Sequence, residues 1–177
     1  AADLVCSISY SMLNLLQDKK NVPENKILFW PNWVDLSKYE MLSSRNSFRV
    51  SHQIDSGVTL IAYAGNIGLK QGLEVLIDVA WQFRDDPSVE FLIAGEGAAL
   101  AGLNSYAAEV GVRNVRFMGL LAEEDYISLV QDVDIFFISQ KKVEYDVYFP
   151  SKLLGLMAMS SLMLLSADPE SELYKTL

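Results

Sequence analysis

One cysteine and one histidine are all that this 177-residue chain holds of the side chains most used for metal binding and nucleophilic chemistry. Cys6 has no partner for an internal disulfide, and one Cys with one His falls short of the four ligands of a structural zinc. His52 has no serine or cysteine companion recognisable by spacing, which argues against a hydrolytic triad. A reducing, cytoplasmic setting fits this composition. Positive charge is also scarce: 14 Lys and Arg stand against 23 Asp and Glu, a net charge of −9. Nucleic-acid affinity rests on cations that neutralise phosphates, so nucleic acid is excluded as a partner. Long apolar runs are missing as well. The longest uncharged stretch, Leu153 to Ala167, has 15 residues, whereas a membrane-spanning helix needs about 20.

What is present is globular: 51% of residues are apolar and 21% charged, enough for one packed core and incompatible with a disordered or fibrous chain. Short β-branched or aromatic runs alternate with stretches of helical period, the mark of β-α units around a parallel sheet. Strands are expected at Leu4–Ile8, Lys26–Trp30, Thr59–Ala64, Val89–Ala94, Val115–Met118, Val133–Ile138 and Leu162–Leu165. Helices are expected at Ser11–Lys20, Gln71–Arg84, Ala99–Val110, Ala122–Gln131 and Ser151–Met159, with Gly111 as a C-cap and a last helix starting after Pro169. Residues 43–57 have no sustained apolar period and read as a connector, which puts a boundary near residue 40. The chain opens on Ala1-Ala2-Asp3 and stops inside a helical pattern, and so reads as an excised piece. The fold class is α/β: a Rossmann-like, doubly wound parallel sheet.

Open α/β sheets bind ligands where strands end and helices begin. Three such turns stand out. Gly65-Asn66-Ile67-Gly68-Leu69-Lys70-Gln71-Gly72 offers backbone N–H groups, a helix start and the Lys70 ammonium to an oxyanion. It is spaced G-x-x-G-x-x-x-G, which fits neither the dinucleotide fingerprint nor a Walker A loop. Gly95-Glu96-Gly97 places a carboxylate where it would accept from a sugar hydroxyl or favour a helix N-terminus. Residues 140–152 end in Phe149-Pro150-Ser151-Lys152, with Pro150 and Ser151 as helix-start residues, Lys152 as a cation, and Glu144 and Asp146 as nearby acids. Each turn also has a purely architectural reading: tight β-α connections with solvated charges. Met157, Met159 and Met163 read as core filling, Cys6 as a small buried hydrophobe and His52 as a surface residue.

Taken in order, five segments resemble the group 1 (family 4) glycosyltransferases of GT-B fold, close to the capsule and colanic-acid type. They are Trp30-Pro31-Asn32-Trp33-Val34-Asp35, Tyr63 to Glu74, Phe91 to Gly97, Val115 to Gly119, and Pro150-Ser151-Lys152-Leu153-Leu154-Gly155. The resemblance implies retaining transfer of a sugar from a UDP- or GDP-sugar to a hydroxyl of a sugar or lipid-linked acceptor, without cofactor or tightly held metal. It also implies two Rossmann-like halves. Residues 1–40 would be the tail of the acceptor-binding half with the start of a linker, 41–57 the linker, and 58–177 a C-terminally truncated donor half, inactive by itself. Any peripheral membrane contact would belong to the missing first half.

Position by position, the resemblance assigns catalytic roles to Lys70, Lys152 and Asp146. It assigns donor contacts to Gly65, Asn66, Gly68, Gln71, Glu96, Met118, Gly119, Phe149, Pro150, Ser151 and Leu153. Relatives often carry an arginine and a lysine where Asn66 and Gln71 stand, and two glutamates where Val147 and Gly155 stand. Ser160 stands where relatives usually have a glycine, ahead of the last strand. These replacements leave a second reading open: a catalytically lapsed relative that binds a nucleotide sugar and acts as partner or regulator.

Overall fold

A computed structural model describes residues 2–37, 39, 47–142 and 151–176. The chain begins with a small parallel unit: β1 (Val5–Ser7), α1 (Tyr10–Lys20) and β2 (Ile27–Phe29), with Cys6 opposite Leu28. Ser9 caps α1 by accepting from the Met12 N–H, and Lys19 and Lys20 occupy the last turn, where they complement the helix dipole. Cys6 is exposed rather than buried, in a sheet that has two strands among the described residues.

The rest forms one five-stranded sheet. Its elements are α2 (Phe48–Ser51), β3 (Thr59–Ala64), α3 (Glu74–Gln82), β4 (Val89–Ala94), α4 (Leu100–Val110), β5 (Val115–Met118), α5 (Glu123–Asp132), β6 (Ile135–Ser139), α6 (Lys152–Ala158), β7 (Met163–Ser166) and α7 (Glu172–Thr176). The strand order is β5-β4-β3-β6-β7, and every pairing is parallel. Side chains alternate across the sheet as a period of two demands. Leu60, Ala62 and Ala64 of β3 face one way and join Leu92, Phe136, Ile138, Leu129, Leu153 and Leu156; Ile61 and Tyr63 face the other and join Phe91, Ile93, Leu76, Ile77 and Leu103. Helices α3 and α4 therefore cover one face and α5, α6 and α7 the other, the doubly wound arrangement expected from the sequence.

Details differ from the expectation where a local feature wins. Helix α3 starts at Glu74 rather than Gln71, because Gly72 takes a left-handed φ of 61° that cannot continue a helix. The expected connector contains α2, whose Phe48 (1% exposed) lies in the core beside Ile54. Arg49 anchors this segment: it pairs with Asp134 at 2.6 Å and donates to the carbonyls of Asp132, Asp55 and Val58, each at 2.9 Å. His52 is half-buried, its ring 4.2 Å from that of Phe48. Met159 and Met163 pack on the core as expected, but Met157 is 45% exposed.

The two units touch through a carboxylate. Glu172 on α7 accepts from the Tyr10 N–H at 2.7 Å, from the Ser11 N–H at 3.1 Å and from the Ser9 hydroxyl, so its charge sits on the N-terminus of α1. Among the described residues, no helix is long and apolar enough to cross a membrane.

Candidate functional site

The chain path fixes where a ligand belongs. From β3 it runs outward through β4 to β5, then returns across the sheet to lay β6 on the other side of β3. The crossovers diverge between β3 and β6, and their carboxyl ends flank a crevice. A cleft of about 470 Å³ lies there, within the range of small-ligand sites. Its floor is Tyr63, Ala64 and Gly65 from β3 and Ile138, Ser139 and Gln140 from β6; its walls are Ala94 and Gly95, Leu120, Leu121, Glu123 and Tyr126, Ser151 and Lys152, and Leu173.

Lys152 is the only Lys or Arg among the described residues lining this cleft. Its Nζ donates to the Ala64 carbonyl at 3.1 Å and lies 3.9 Å from the centroid of the Tyr63 ring. An ammonium has three donors, so these contacts leave capacity for an incoming oxyanion. No ion pair to Lys152 occurs among the described residues, and burial pushes its pKa from the ordinary 10.5 down to about 7. Gly65 makes this placement possible: a Cβ there would lie 3.1 Å from Nζ, on a backbone with φ of 142°.

The first glycine turn is held by its own hydrogen bonds. Gly65 N–H donates to Ala94 O at 2.9 Å, Ile67 N–H to Glu96 O at 2.7 Å, and Gly68 N–H to Gln71 Oε1 at 3.1 Å. The Tyr63 hydroxyl adds a bond to Asn66 O at 2.6 Å. The expected cradle of turn amides is thus largely engaged within the protein, and buried Gln71 acts as the clip that closes it. Asn66 is exposed on the cleft wall. Lys70 is exposed and outside the lining, while its carbonyl accepts from Lys141 N–H at 2.7 Å, tying the turn to the end of β6.

The second turn supports the first. Gly95 N–H donates to Met118 O at 3.1 Å, and a Cβ on Gly95, whose φ is 140°, would collide with the Gly65 carbonyl. Glu96 and Gly119 are exposed outside the cleft lining, and Met118 leans on the core instead of the cleft. Leu153 is fully buried in the core, so only its backbone remains for a ligand. Ser151 sits at the N-cap of α6 and lines the cleft without a side-chain capping bond. Asp146, Glu144, Phe149 and Pro150 lie outside the described residues.

Reading the sequence alone missed the far wall. Leu121, Glu123, Tyr126 and Leu173 reach the cleft from two segments, the start of α5 with the residues before it and α7. Only the position of Glu123 and Tyr126 at the start of a helix after a strand end hinted at it. Among the described residues, no three His, Cys, Asp or Glu side chains gather as metal ligands.

A half-buried cation at the switch point of this sheet is accompanied by a sequence match: residues 44–169 fit the model of the family Glycosyl transferases group 1. The chain belongs to that family. Consistent with this membership, the chain is 33% identical over 173 residues to the colanic acid biosynthesis glycosyl transferase WcaI of Escherichia coli, which covers 97% of this chain and 42% of WcaI. It therefore spans less than half the length of that relative. The fold matches HepE of Anabaena in complex with UDP-glucose, with a TM-score of 0.77 at 15% identity, over 99% of this chain and 47% of that one. It also matches WaaG, a glycosyltransferase involved in lipopolysaccharide biosynthesis, with a TM-score of 0.75 at 15% identity, over 90% and 43% respectively. The group 1 glycosyl transferase fold expected from the five segments, a Rossmann-like GT-B unit, is therefore the fold observed.

Proposed function

We propose that this chain is the donor-binding part of a retaining glycosyltransferase that moves a sugar from a UDP- or GDP-sugar to a hydroxyl of a sugar or lipid-linked acceptor, in the cytoplasm. The observation that carries the reading is Lys152: a half-buried ammonium at the β3–β6 crevice, held by Ala64 O and the Tyr63 ring. The family membership and the UDP-glucose bound to HepE support it.

Departure of a nucleoside diphosphate needs stabilisation of the negative charge that grows on it, more than covalent help. Lys152 supplies that charge from a half-buried position, where it acts more strongly than a fully solvated cation. Gly65 gives the diphosphate access to Lys152. Asn66 and Ser151 offer neutral donors on the same wall, and Lys70 contributes from solvent as a screened, longer-range charge. Asp146 is the proposed acid toward the donor sugar. No cofactor is assigned. Acceptor groups and any peripheral membrane contact would come from the remainder of the protein, so residues 1–177 alone would bind donor without turning over.

Calorimetric titration with UDP, GDP and their glucose and mannose conjugates tests the binding step, and the full-length protein tests transfer with a labelled sugar. Binding accompanied by nucleotide release and label transfer supports the enzyme. Binding without release supports the lapsed relative, and an absence of binding to every nucleotide overturns both.

A further inference from the structure

Helix α1 opens on Tyr10-Ser11-Met12 with no acidic residue in its first turn, yet its first three amides all have acceptors. The Ser9 hydroxyl oxygen accepts from the Met12 N–H at 3.1 Å. The Tyr10 and Ser11 N–H groups donate to Glu172, 162 and 161 residues away, at 2.7 and 3.1 Å, and the buried Ser9 hydroxyl donates to the same carboxylate. Orphan amides at the positive end of a helix are ordinarily met by a neighbouring side chain or by water. Here the anion comes from the other unit.

The arm that carries it is firmly held. Glu172 stands between the buried residues Ser171 and Leu173, and the turn ahead of it is pinned where Asp168 pairs with Lys142 at 2.8 Å and its carbonyl accepts from the Ser171 N–H at 2.9 Å. Apolar packing does not set the angle between the units: among the described residues, neither core cluster contains a residue of β1, α1 or β2. Units that share no large apolar interface move relative to one another by default. Hydrogen bonds to a charged acceptor are short and directional, so this carboxylate defines one arrangement out of many.

We propose that Glu172 is a positioning residue: by capping α1 from the opposite unit, it fixes the angle at which the β1-α1-β2 unit meets the donor cleft. Its consequence for sugar transfer rests on the donor-binding reading given above, with residues 1–40 belonging to the acceptor-binding half. A loosened angle then misplaces the acceptor relative to a donor that is still bound.

The test uses the full-length protein. Glu172→Gln keeps an accepting oxygen and loses the charge, Glu172→Ala loses both, and Glu170→Gln is the control, an exposed neighbour that pairs with Lys175. Amide hydrogen exchange at Tyr10 and Ser11 is expected to quicken about tenfold in Glu172→Ala and about threefold in Glu172→Gln, as for the loss or weakening of a charged hydrogen bond. Glu170→Gln should match the parent. Calorimetric affinity for UDP-glucose or GDP-mannose, whichever the parent binds, should stay within twofold in all three variants. Because a small misplacement of reacting groups is costly, kcat for transfer should fall about tenfold in Glu172→Ala at unchanged donor KM, with Glu172→Gln between it and the parent. Parent-like exchange at Tyr10 and Ser11 in Glu172→Ala overturns the proposal. So does faster exchange with kcat and acceptor KM within twofold of the parent, and so does a joint loss of donor affinity and thermal midpoint, which would make Glu172 a structural part of the donor unit. A parent that transfers no sugar overturns the enzyme reading instead, while the exchange rates still decide whether Glu172 holds the two units.

Discussion

The two glycine turns at the ends of β3 and β4 look alike in sequence, yet they do different work. The Gly65 turn borders the cleft and admits the Lys152 ammonium. The Gly95-Glu96-Gly97 turn holds the first one up: Glu96 O takes the Ile67 N–H, and Gly95 lies directly against the Gly65 backbone. A glycine-bearing strand end marks a close approach of backbones. Whether a ligand or a neighbouring loop makes that approach depends on which strand lies next door, and only the sheet order decides that.

The largest test of this division is Gly95→Ala. A Cβ there meets backbone rather than a movable side chain, on a φ of 140°, so a loss of about 3–5 kcal/mol is expected in chemical denaturation. Next comes Lys152→Ala, which should leave the folded state as stable or more so while weakening nucleotide diphosphate binding about 30–100-fold, or about 2–3 kcal/mol by titration calorimetry.

Titration separates the two turns further. Lys152 is pushed down to about 7 from an ordinary value of 10.5, so the unfolded chain binds more protons between those limits. Stability of the free protein should therefore rise with pH across that window. Diphosphate selects the ammonium form, so UDP-glucose affinity should run the other way: flat below pH about 7 and weakening above it, by up to tenfold per unit. Both slopes should vanish in Lys152→Ala, and neither should change in Glu96→Gln.

Smaller effects complete the series. Gln71→Ala opens the clip on Gly68 and should cost about 1 kcal/mol in thermal or chemical unfolding. Lys70→Ala removes an exposed charge outside the cleft lining and should weaken nucleotide binding by no more than about threefold at 0.15 M salt. An effect as large as that of Lys152→Ala would mean that Lys70 swings into the cleft and that the turn works as a cradle after all.

Sheet and layers were legible because they follow from local rules. Alternation along Leu60, Ile61, Ala62 and Tyr63 sets two faces, and helical spacing at Leu73, Leu76, Ile77 and Ala80 covers one of them. Gly111 ends α4 where a C-cap glycine was expected. The site was legible only in part. Gly65 and Lys152 announce themselves at a strand end and a helix start, but their meeting depends on β6 lying beside β3. Tyr126, Leu121 and Leu173 carry no local signature, since each reads as an ordinary core or helix residue until the chain closes on itself. Cys6 and Met157 went astray for the converse reason: an apolar side chain in a regular element is buried only if another layer lies over it.

One helix joins the cleft to the small N-terminal unit. Leu173 forms part of the cleft wall, and its neighbour Glu172 holds the first amides of α1. A displacement of α7 would therefore pull on that carboxylate as well, so the small β1-α1-β2 unit is tied to the cleft wall through one charge and three donated protons.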